Sequence, residues 1–179
     1  FLKFERILKT VISTFPFSLK VFSQSMRNWA IEKLWIKSKI VKILDISPDK
    51  ILFSDHHLSH AASSYFSSPF SEATVVTFGG VGEWASTTIG YAANNKIDIV
   101  KEIQFPHSIG LLYSVFTAFL GFEVNEGEYK VMGMAPFGSP KYTDEIKKTL
   151  NIYEDGSFWL DPSFFSFYKS TKKSFSKKF

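Results

Sequence analysis

Three of the chain's four histidines stand within five positions, in the stretch SDHHLSHAASSYF at residues 54–66. Imidazole serves both as a metal ligand and as a base near neutral pH, so such a cluster could hold a cation or move a proton. On a helix, positions i and i+4 share a face. His56 and His60 would then offer two nitrogens to one ion while His57 points elsewhere. The zinc-peptidase pattern H-E-x-x-H does not apply, because position 57 is His rather than Glu. Spacing alone leaves two readings open: a metal pair, or polar residues at a helix start with Ser54 or Asp55 as the N-cap. A second chemical element follows in VVTFGGVGEWASTTIGY. A buried strand opening into a turn with Gly79, Gly80 and Gly82 lets backbone N–H groups approach an anion, although an ordinary hairpin turn also uses glycine.

The elements that must position these residues can be read from periodicity. Leu2, Ile7, Leu8, Val11, Ile12 and Phe15 recur at helical spacing before Pro16, and a second helical run extends from Ser18 to Leu44. Trp29 and Trp35 are expected as core or interface anchors, with Arg27, Lys33, Lys37 and Lys39 on the outer face. KILFS, residues 50–54, reads as a short strand leading into a helix from His56 to Phe66. ATVVTF, WASTTIGYA and IDIVKEIQF read as three strands, the last two joined by a turn at Asn94-Asn95. After Pro106 a helix from Ser108 to Leu120 is apolar almost all round. Another is expected from Asp144 to Leu150, then a hairpin at Asp155-Gly156. Strands in tight succession followed by a buried helix argue for an α/β or α+β domain.

Composition sets outer limits. With 179 residues, 45% hydrophobic and 17% aromatic, including twenty Phe, the chain can bury a sizeable core. No apolar segment reaches the roughly 20 residues that cross a bilayer, so a soluble protein is expected, and the absence of Cys is compatible with a reducing cytoplasm, the expected location. The chain has no Cys, which leaves His and carboxylate for any metal. The net charge of +4 is concentrated in YKSTKKSFSKKF, which carries five Lys and no acid and reads as a solvated tail. No basic stripe with interleaved aromatics points to nucleic acid. The opening FLKFERILKTVISTF lacks Met and the features of a signal peptide, as in a chain entered midway.

Four blocks in series, DHHLSHAASSYFSSPF, TFGGVGEWASTTIGY, FPHSIGLLYSVFTAFLGF and NEGEYKVMGMAPFG, resemble the signature blocks of carbamoyltransferases related to NodU and to antibiotic-carbamoylating enzymes. The resemblance covers residues 1–162. It implies an α/β, actin/hexokinase-like (ribonuclease H-like) domain of TsaD type, incomplete at both ends, occupying residues 1–179. A helical segment at 1–44 would precede the motif-bearing core at 50–162. In that family a YrdC-like domain, absent here, makes carbamoyl adenylate from carbamoyl phosphate and ATP. The TsaD-like domain passes the carbamoyl group to a hydroxyl of a small-molecule acceptor.

The resemblance also assigns residues. It places a metal, Fe²⁺ or another divalent ion, at His56 and His60, and nucleotide phosphates at Gly79, Gly80, Val81, Gly82 and Glu83. Ser108 and Gly110 would lie beside the carbamoyl adenylate, and His57 and His107 are the candidates for the base. Glu126, Glu128 and Lys130 are candidates for touching acceptor or ribose. Trp84 is expected to cover the turn. One departure stands out: the family reads DGVGEW where this chain reads GGVGEW, so Gly79 replaces a metal-binding Asp. Such a chain is expected to be inactive alone. The alternative to the enzyme reading is a non-catalytic remnant that binds nucleotide or a partner.

Overall fold

The structure, a computed structural model, describes residues 8, 11–12, 15–16, 35–170 and 173–179. It divides into two compact units, the second running from Asp55 to Phe167 and including the final residues to Phe179. The first unit contributes helix α1, Ile36–Leu44, and a single 3₁₀ turn at Pro48–Lys50. None of the α1 residues is buried, and Trp35, expected as an anchor, is exposed. The two amphipathic runs expected before Trp35 lie outside the described residues, isolated positions excepted.

The second unit holds everything that bears on function. Helix α2 spans His56–Tyr65, followed by strands β1 (Glu72–Gly82), β2 (Ala85–Ala93) and β3 (Lys96–Gln104) in one antiparallel sheet of that order. Helix α3, Ile109–Phe119, packs on β1, and the short α4, Glu128–Met134, packs on α3. A short helix α5 (Thr143–Lys147) then leads into the hairpin of β4 (Leu150–Ile152) and β5 (Phe158–Leu160). The result is a mixed α/β unit with antiparallel sheets.

The two-residue side-chain period of a strand decides which face of the sheet is covered. Val75 and Thr77 of β1 are buried towards α2, where Ala61, Tyr65, Val75 and Ala92 form the core, flanked by Ala73 and Ile97. The alternate positions Val76, Phe78, Ile89 and Tyr91 are exposed on the opposite face. The β2–β3 turn is at Asn94-Asn95, as expected, with φ of 51° and 61°, the left-handed pair that a tight hairpin turn needs and that Asn tolerates.

Four further expectations need correction. Residues 51–55 form no strand: Leu52 and Phe53 are exposed, and no ladder is available to them among the described residues. The expected helix to Leu150 stops at Lys147, because Leu150 pairs with Leu160 across the β4–β5 hairpin. Glycine does not end the second strand; β1 runs on through Gly82, and the reversal falls at Glu83, whose φ is 56°. The C-terminal residues are docked rather than solvated. The Phe179 ring lies 4.9 Å from Phe116 and 5.3 Å from Phe119 of α3, while Lys178 sits over the Phe164 ring. Aromatic burial outweighs the solvation of the neighbouring lysines, which keep their ammonium groups at the surface.

Candidate functional site

Helix α2 begins on Asp55 and brings its three histidines to the end of β1. His56 and His60 fall one turn apart on an exposed face, with their Nε2 atoms 3.1 Å from each other. Two nitrogens that each lie about 2.1 Å from one ion are separated by a similar span, so the pair is pre-set for two-point coordination. Partial burial, then the neighbouring His60 and His57, hold His56 below the usual imidazole range, against the opposing pull of Glu83. Among the described residues no group of three His, Asp or Glu converges on one point. The imidazole pair therefore fits a cation as two donors, with further donors required from water, substrate or other protein groups.

His57 faces the opposite way. Only 5% exposed, its Nδ1 lies 2.6 Å from Thr77 Oγ1 and its Nε2 lies 2.8 Å from the Ala85 carbonyl oxygen. Since a carbonyl can only accept, Nε2 carries the hydrogen, and in the neutral ring Nδ1 accepts from the Thr77 hydroxyl. Thr77 Oγ1 is in turn 2.7 Å from Thr88 Oγ1, which extends the chain of hydrogen bonds into β2.

The glycines permit close approach. A Cβ on Gly82 would stand 2.8 Å from His57 Cδ2 and 2.9 Å from His56 Cγ, so the strand backbone lies directly against both rings. On the other side, a Cβ on Gly110 would stand 2.6 Å from the Gly79 carbonyl carbon and 2.7 Å from Gly80 N. The first turn of α3 is thus pressed onto the Gly79–Gly80 backbone. Ser108, fully buried, donates to the Gly79 and Gly80 carbonyls at 3.0 and 2.6 Å and accepts the Leu111 N–H at 3.0 Å as the helix N-cap. Gly79, Gly80, Gly82, Ser108, Gly110 and the α2 histidines are therefore all brought together. Val81 and Glu83 are exposed at the same end of the hairpin.

His107 lies at the margin of this group. Its Nδ1 accepts the Leu160 N–H at 3.1 Å, its ring meets Trp159 at 3.9 Å, and its carbonyl accepts from Ser86 Oγ. Burial lowers its pKa. Trp84 is half-buried beside Phe105, ring centroids 6.2 Å apart, and its buried Nε1 has no hydrogen-bond partner among the described residues. Glu128 is committed to structure: its Oε1 accepts the Asn125 N–H at 3.0 Å and the Ser114 hydroxyl at 2.8 Å, tying α4 to α3. The Asn125 N–H, chiefly, keeps this carboxyl below the usual range. Neither the Ser108 clamp nor the His57–Thr77–Thr88 chain is visible as a motif. Their only sequence signal is the placing of a capping Ser two residues before Gly110 and of Thr within a buried strand.

Comparison with known proteins identifies the family. The sequence model of the Carbamoyltransferase N-terminus family matches residues 2–179. An uncharacterized protein of Synechocystis sp. is 45% identical over 174 residues, which cover 92% of this chain and 28% of that protein. Nodulation protein NolNO of Sinorhizobium fredii is 31% identical over 115 residues, covering 64% of this chain and 17% of its own length. An uncharacterized protein of Methanocaldococcus jannaschii is 34% identical over 143 residues, covering 70% and 23%. This chain therefore spans less than a third of the length of each of these relatives. With the family model matched along nearly its whole length, the chain belongs to the Carbamoyltransferase N-terminus family.

Proposed function

We propose that this chain is part of an O-carbamoyltransferase acting on a hydroxyl of a sugar, nodulation-factor-like or antibiotic-like acceptor, with carbamoyl adenylate as donor. The observation that carries the reading is the juxtaposition of an exposed imidazole pair with the glycine end of β1, in a chain of this family. His56 and His60 would hold a divalent cation such as Fe²⁺. When bound, it supplies Lewis-acid stabilisation of negative charge on a phosphoryl or carbonyl oxygen. The backbone from Gly79 to Glu83 borders the donor's phosphate, and Ser108 with Gly110 keeps that backbone in place.

The transfer itself balances simply. The acceptor oxygen bonds to the carbamoyl carbon, the bond from that carbon to the phosphate oxygen breaks, AMP leaves with the electron pair, and the hydroxyl proton passes to a base. His57 is a poor base here, because both ring nitrogens are engaged. With Nδ1 of His107 accepting from Leu160, the neutral ring carries its proton on Nε2. His107 thus suits donation to an oxygen rather than proton capture. The donor would come from carbamoyl phosphate and ATP on a YrdC-like domain, a cytoplasmic chemistry.

The test uses a protein that joins this chain to its remaining transferase domain and a YrdC-like domain, and measures AMP release from ATP and carbamoyl phosphate with and without a panel of hydroxyl acceptors. Acceptor-dependent release that His56→Ala abolishes is the expected result, and ATP binding with no acceptor-dependent release would reject it. The second outcome is that of a non-catalytic nucleotide-binding remnant, the reading that Gly79 favours, because it contributes no carboxylate where the family pattern has one.

A further inference from the structure

We infer that His57 is a positioning residue that sets the imidazole pair of His56 and His60 against the glycine end of β1. The inference rests on the functional reading above and assigns how its two halves are held in register. The ring of His57 reaches Thr77 upstream of the glycines and the Ala85 carbonyl downstream of the turn, so one side chain spans the neck of the segment between them. Through Thr77 it is also linked to Thr88, which joins both strands of the hairpin to the first turn of α2. Consecutive Cα atoms are about 3.8 Å apart, so a fixed His57 ring fixes the helix start from which His56 and, one turn on, His60 project.

A merely space-filling residue would be apolar at this site. Burying two ring nitrogens is costly unless both are paired, and paired nitrogens hold the ring in one orientation. The strand answers the same constraint with Gly82, since any side chain there would meet the rings of His56 and His57. Contact between the pair and the glycine strand is thus built from both directions. Partners that orient a metal ligand change metal affinity by about 10–100-fold when removed.

The experiment uses the full chain, Co²⁺ alone as probe, and NMR signals of the His56 and His60 rings and of the Gly79, Gly80 and Gly82 amides. His60→Ala defines which Co²⁺ binding belongs to the pair. His57→Gln keeps an N–H donor but cannot span both partners, and Thr77→Val removes one partner while keeping the side chain's shape. The expected result is a loss of Co²⁺ affinity of about 10-fold or more in His57→Gln, and less in Thr77→Val. The glycine amide and His56 and His60 ring signals should move together in both variants. If the wild type binds Co²⁺ at the pair and both variants bind it equally well, the inference is wrong and the functional reading stands. If the wild type does not bind Co²⁺ at the pair, the metal reading fails. The signals then decide: joint movement upholds the positioning role, and unmoved signals overturn it. Should His57→Gln not fold, Thr77→Val decides alone on the same readouts.

Discussion

Helices α2 and α3 both start against the glycines at the end of β1, and they are held there differently. The start of α3 is closed: Ser108 is fully buried, its hydroxyl is shared among Gly79 O, Gly80 O and Leu111 N, and Gly110 leaves no gap above the strand. The start of α2 is half open. One histidine is buried with both nitrogens engaged, while the two around it face outward with converging Nε2 atoms. Rigid support lies on one side of the strand and unsaturated ligand capacity on the other, a division expected where a site must be both fixed and accessible.

Substitutions can test whether that contrast holds, beginning where the largest effect is expected. Gly110→Ala forces a methyl into the Gly79–Gly80 backbone and should cost about 3 kcal/mol, read from the urea midpoint. A loss under 1 kcal/mol would mean the start of α3 is not closed. Ser108→Ala strips a cap and leaves two carbonyls without their donor, for about 2 kcal/mol in the same measurement. Glu128→Ala, which frees α4 from Ser114 and the Asn125 N–H, should cost about 1 kcal/mol. The smallest stability change is expected at the open side. His56→Ala should shift unfolding by no more than about 0.5 kcal/mol while abolishing Co²⁺ binding by the pair. A large stability loss there would erase the distinction between the two helix starts.

A pH series sharpens the same contrast. Burial lowers the pKa of His107, so the folded chain resists a proton that the unfolded chain accepts near pH 6.5. Stability should be full above that pH and fall as pH drops below it, until the folded form also protonates. His107→Gln should flatten part of that slope in urea unfolding between pH 7.5 and 5, and an unchanged slope would assign it to other groups such as His56.

Much of the fold was legible because it is local. Alternation marked the three strands, Asn94-Asn95 marked the hairpin, and a continuous apolar run after Ser108 marked α3. The i, i+4 spacing of His56 and His60 and the divergence of His57 were readable too. What His57 turns towards was not, because Thr77 and Ala85 lie 20 and 28 residues away and nothing in their neighbourhood signals it. KILFS carried strand propensity but meets no partner strand among the described residues, and propensity alone does not make a ladder. In the tail, five lysines masked the two phenylalanines at 175 and 179, which pack on Phe119 of α3, with Phe165 against Phe179 in the same aromatic cluster. Charge composition reports solvation of the side-chain tips and says little about where the rings between them go.

The glycines of this site also differ in how much change they allow. Side chains at Gly82 and Gly110 meet atoms at once, so those positions are closed to substitution. At Gly79 a Cβ would find its nearest neighbour, His57 Cε1, at 3.7 Å, an ordinary contact. Gly79 is therefore sterically permissive where Gly82 and Gly110 are not. A β-carbon added there leaves the clamp around it in place, so Gly79 is a position at which a carboxylate can be introduced to test whether a further donor joins the imidazole pair.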